Sequence, residues 1–79
     1  MTAQSDYINT EVLLLIDLND SNMIISSEKD NKFIIRNRKD LSIIKIIEHD
    51  FGYLYSGLCY PDQKVVVLGI GCNIIKFDY

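Results

Sequence analysis

The chain has 79 residues, a net charge of −3 and an apolar share of 48%, in which Ile, Val and Leu dominate. That length allows one small domain with a modest interior. The acidic balance and the scatter of its eight Lys and Arg set nucleic acid aside as a partner, because phosphate backbones are held by clustered cations.

Residues 1–10 are polar, without the basic and apolar regions of a secretory signal, and read as a loose leader. No apolar run approaches the roughly 20 residues of a membrane-spanning helix, so no membrane role is expected. Two thiols, Cys59 and Cys72, in a chain with no secretory signal read as reduced. The expected setting is cytoplasmic.

Residues 11–18, EVLLLIDL, form a first expected strand, closed by the turn residues 19–22, NDSN. Residues 23–27 make the second strand. Asp30-Asn31 then supplies a hairpin turn, since both residue types tolerate positive φ. Residues 32–37 make the third strand, the loop 38–40 follows, and residues 41–47, LSIIKII, make the fourth. Ile43, Ile44, Ile46 and Ile47 could share a helical face, but β-branched side chains favour a pleated sheet. The small basic group Arg36, Arg38 and Lys39 reads as a solvated strand end and loop.

A second loop, residues 48–52, leads to a fifth strand over 53–60. Pro61-Asp62-Gln63 is a turn with Pro suited to its first corner. The sixth strand covers 64–70, Gly71-Cys72-Asn73 is a tight turn, and the seventh strand covers 74–78. The chain reads as all-β, an antiparallel meander. The unbroken runs at 12–16 and 65–68 predict a sheet covered on both faces.

The two halves echo each other. Met23-Ile24-Ile25 matches Val65-Val66-Val67, and residues 33–37 match residues 74–78 after turns of similar length. A period near 41–42 residues with four strands per unit is the signature of propeller blades. The chain resembles the WD40 repeat family in this spacing and in several positions. Glu48-His49 stands where the family has Gly-His, and Tyr60-Pro61-Asp62 looks like its Ser-Pro-Asp turn. Ser26, Ser27 and Asp30 stand for its strand serine and turn aspartate. Phe77-Asp78 stands where Trp-Asp ends the third strand.

The resemblance implies antiparallel four-stranded meander blades of an incomplete WD40-like propeller, with residues 11–50 as the first blade and 51–79 as three strands of a second. The implied blade lock, a hydrogen-bonded set of His, Ser or Thr, Asp and Trp, is degenerate. Arg36 replaces Trp in the first unit. In the second, Cys72 stands at the Asp position and Phe77 cannot donate. The chain stops after Tyr79, where a fourth strand of the second unit is due. Three expectations follow: a piece of a longer propeller, copies that assemble into a ring, or a chain that packs on a partner.

Chemistry is sparse. His49 lies between Glu48 and Asp50, but three consecutive loop residues do not converge on a metal or a substrate, so a structural histidine is favoured. Cys59 and Cys72 sit in apolar settings and read as buried, inert thiols. Leu68-Gly69-Ile70-Gly71 lacks the third glycine and the helix of a dinucleotide site. Gly71 is expected to serve the tight turn, and Gly69 a close approach of sheets. Tyr53, Tyr55 and Tyr60 form a candidate interface group. No cofactor, metal or catalytic residue is expected. The leading reading is a non-enzymatic protein–protein interaction module that binds a protein partner or further blades, self-association included. The alternative is a stand-alone small β protein, an inhibitor or immunity-type binder with one contiguous core.

Overall fold

A computed structural model describes residues 11–19, 21–29 and 31–79. The expected leader, Asp20 and Asp30 lie outside the described residues. Seven strands follow in order: β1 (Leu14–Leu18), β2 (Met23–Lys29), β3 (Lys32–Asn37), β4 (Ile43–Glu48), β5 (Leu54–Tyr60), β6 (Val65–Ile70) and β7 (Asn73–Asp78). Pro61–Gln63 form a short 3-10 turn between β5 and β6. The protein is all-β.

All the pairings are antiparallel and sequential. β1-β2-β3-β4 make a four-stranded meander, and β5-β6-β7 a three-stranded one. Among the described residues the two sheets close into neither a barrel nor a propeller. The sequence echo extends to pairing register. Ile16, Ile25 and Ile35 lie side by side across the first sheet, and their counterparts Leu58, Val67 and Lys76 do so across the second.

The turns follow from local chemistry. Asn22 and Asn31 adopt positive φ, which Asn accepts because its side chain bonds locally. Gly71, at φ 57°, opens the β6–β7 turn as expected. Leu41 and Lys64 also have positive φ, without a side chain suited to it. That conformation at Leu41 explains why β4 starts at Ile43 rather than at 41.

The core lies between the sheets. Ile16, Leu18, Ile25, Phe33 and Ile35 of the first sheet meet Leu54, Val66, Leu68 and Ile70 of the second. Phe33 and Phe77 join the sheets edge to face, with centroids 5.3 Å apart. Ser27 points inward, and its hydroxyl donates to the Leu54 carbonyl at 3.5 Å. Of the strands in different sheets, β1 and β5 approach most closely. Gly57 of β5 permits this, since a methyl group there would collide with Ile16. Gly69 was the expected close-approach glycine, but it faces away from the core, where its Cβ would meet the Ser56 hydroxyl.

The connector 49–53 binds one end of both sheets. Asn31, in the β2–β3 turn, donates its backbone N–H to Gly52 O and accepts the Gly52 N–H on Oδ1, both at 2.9 Å. The His49 N–H donates to Asn31 O, and the Gly71 N–H, from the β6–β7 turn, donates to Tyr53 O, each at 2.9 Å. The two tight turns therefore hold the same connector.

Three expectations about burial need correction. The run at 12–16 is not covered on both faces: Val12, Leu13 and Leu15 are exposed, because alternation along β1 turns Leu15 away from the second sheet. Arg36 is buried rather than solvated, for the reason given below. Cys72 is exposed in its turn, and Cys59 is half-buried.

Candidate interaction surfaces

Each sheet has one face in the core and one turned outward. In antiparallel pairs, opposed residues share a face. The outward face of the first sheet therefore carries Leu15 with Ser26, Ile34 and Ile46, and Asp17 with Ile24, Arg36 and Ile43. The outward face of the second carries Leu58 with Val67 and Lys76, and Tyr60 with Val65 and Asp78. Ile74, opposite Gly69, lies on that face too.

Both outward faces expose large apolar side chains. Leu15 is 60% exposed on the first, with Ile43 and Ile46 near half. Ile74 is 86% exposed and Leu58 64% on the second, with Tyr60 beside them. Single exposed apolar residues are ordinary, whereas groups of them on one sheet face make candidate interaction surfaces.

The first outward face holds a polar cluster. The Arg36 guanidinium bonds the Glu28 carboxylate through Nε at 3.2 Å and Nη2 at 3.3 Å, and its Nη1 donates to the Leu41 carbonyl at 2.8 Å. The Ser26 hydroxyl donates to Glu28. Both charged side chains are only 9% exposed. Burial on an outer face is possible here because the fork satisfies itself on a carboxylate and a carbonyl. The sequence signal was present in Arg36 at the aromatic position of the repeat. Its partner Glu28 was not singled out, because it reaches Arg36 through the β2 irregularity between Ser26 and Lys29.

His49 follows β4 in the connector. Its Nδ1 accepts the Phe51 N–H at 3.1 Å, so in the neutral ring the proton sits on Nε2. Nε2 is buried and has no hydrogen-bond partner among the described residues. The ring stacks on Phe51 at 5.6 Å and tilts against Phe33 at 5.9 Å. Beside it is a cleft of about 210 Å³ lined by Phe33, Ile47, Leu68, Ile75 and Phe77, among others. Phe33 and Phe77 on the walls of that cleft offer no acceptor.

The other sequence-selected positions are dispersed. Pro61 and Asp62 form the 3-10 turn, with Asp62 exposed. Phe77 turns into the core and Asp78 outward on β7. Tyr53 and Tyr55 line a shallow depression of about 280 Å³ with Glu11, Leu13 and Glu28. Tyr60 belongs to the second sheet's outward face at the opposite end of β5. The three tyrosines are exposed but form no single patch.

Reactive geometry is limited. The Cys59 thiol lies 3.1 Å from the Tyr79 hydroxyl. Among the described residues, no group of three or more His, Cys, Asp or Glu is placed to hold a metal ion. No helix among them is long and apolar enough to cross a membrane. No family model, curated protein or solved structure matches the chain.

Proposed function

We propose that the protein is a non-enzymatic protein–protein interaction module, built of two WD40-like blade units and acting through its outward sheet faces. The observation that carries this reading is the exposure of Leu15, Ile43 and Ile46 on one face and of Leu58, Tyr60 and Ile74 on the other. Burying such side chains is the main favourable term in association. The matched pairing registers of the two units support the blade comparison. The Ser26–Glu28–Arg36 cluster takes the place of the family's aromatic lock in the first unit.

The test is photo-crosslinking in the expressing cell from positions 15 and 74, with exposed Lys39 as the control position. The reading requires polypeptide adducts from a sheet face and none from position 39. Absence of adducts from both faces overturns it.

One observation favours the alternative, a self-contained inhibitor-type binder. Ile16, Val66 and Leu68 share one core across both sheets, so the chain has an interior of its own. That reading would place binding at the Tyr53–Tyr55 depression, and adducts from position 55 alone would select it.

A further inference from the structure

The two outward faces are counterparts of the two faces already packed together. In the repeat alignment Leu58 and Tyr60 stand for Ile16 and Leu18, Val67 for Ile25 and Ile74 for Phe33. The four first-sheet residues are buried in the core. Their second-sheet counterparts lie on its outward face, where Leu58, Tyr60 and Ile74 are exposed. The converse also holds. Ile24, Ile34 and Arg36, on the first sheet's outward face, stand for Val66, Ile75 and Phe77, which face inward from the second. The contact made inside the chain thus has counterparts of both halves on the outside, exposed at Leu58, Tyr60 and Ile74 on the second sheet and at Leu15, Ile43 and Ile46 on the first, where Ile34 and Arg36 are themselves buried.

We infer that a second copy of this chain docks head to tail, laying the outward face of its first sheet on the outward face of this copy's second sheet. The inference rests on the interaction-module reading and names its partner. The intrachain contact supplies the geometry. Phe33 meets Phe77 edge-on within the chain, and the same relation sets Ile74 against the Arg36 of the next copy. The interface is heterologous: two different faces meet, and each pair of copies leaves one face of each kind free.

The test uses purified full chain and two charge variants at exposed positions, Leu15→Lys and Ile74→Lys. Sedimentation is measured from about 1 to about 300 µM, which spans weak to moderate affinities. The native chain should rise at least about twofold in mean mass over that range. Each variant alone should remain monomeric, because one half of the contact is blocked. Their equimolar mixture should form a dimer and stop there, because Ile74→Lys retains the first-sheet face and Leu15→Lys the second.

Circular dichroism checks folding, and Ile46→Lys and Leu58→Lys repeat the design if either first variant is unfolded. A native chain that is monomeric throughout overturns the inference. So does a blocked variant that still dimerises with itself, which would mean that one face pairs with its own kind. If the chain is monomeric but still yields adducts with other polypeptides in cells, the module reading stands and the second copy is ruled out.

Discussion

Asn31 and Gly52, 21 positions apart, exchange two hydrogen bonds of 2.9 Å, one through the Asn backbone and one through its side chain. This pair fixes the connector between the sheets to a hairpin turn of the first. Asn31 is suited to it twice over: it takes positive φ, and its Oδ1 reaches an amide. Asn31→Gly keeps the backbone shape and removes only the side-chain acceptor. It should cost about 1 kcal/mol in urea unfolding. Asn31→Ala should cost about 1 kcal/mol more, because a Cβ without a polar group disfavours that φ. Equal stabilities for the two variants would refute the conformational part of the argument.

A methyl group at residue 57 would overlap the Ile16 Cδ1 and lie 3.2 Å from the Leu68 Cδ2, so both side chains would have to shift. Gly57→Ala should destabilise by about 1–3 kcal/mol through overpacking against Ile16. Ile16→Val in the same chain should recover part of that loss, since it removes the colliding Cδ1. A double-mutant cycle measures the coupling, and additive effects would show that the clash is relieved elsewhere.

The two arginine–carboxylate pairs should differ sharply. Arg38 meets Asp17 at 3.2 Å with both side chains about half exposed, so Arg38→Ala should cost less than about 1 kcal/mol. Arg36 is buried with Glu28, and its loss takes the guanidinium away from a buried carboxylate. Arg36→Ala should cost about 3 kcal/mol or more. Arg36→Met fills the space but leaves Glu28 without the guanidinium, and should fall between. Denaturant midpoints at one pH rank all three.

Acid should expose a contribution from Asp40. The Ser42 backbone N–H, at 3.0 Å, and the Ser42 hydroxyl, at 2.7 Å, donate to its carboxylate. They hold its carboxyl below the ordinary value of 3.8, the backbone bond contributing most. A lowered folded value gives stability that is present above the unfolded value and is lost as pH falls through the folded one. Asp40→Asn keeps an acceptor but does not titrate. Its stability should therefore fall less than the native chain's below about pH 4. Parallel acid slopes would contradict this assignment.

Much of the fold was legible because it rests on local signals. Asn and Gly at turns, and β-branched runs between them, located all seven strands to within three residues at either end. Face assignment was harder. The run at 12–16 is apolar throughout, and nothing in it says that Leu15 faces outward while Ile16 enters the core. That choice is made by the pairing with Ser26 and Ile25 on β2, which is not local. The Arg36–Glu28 pair was hidden for the same reason, since it spans two strands and a bulge. The surroundings of His49 were hidden as well, since Phe33 and Phe77 beside its ring come from β3 and β7.

Gly57 has a consequence beyond its own contact. It lets the sheets draw together at β1 and β5, and a change in that spacing would change how one sheet lies on the other. If copies stack by repeating that relation, the same angle is applied at every step and decides the curvature of the whole series. A shift of a few degrees at one missing side chain would then separate an assembly that closes on itself from one that keeps growing.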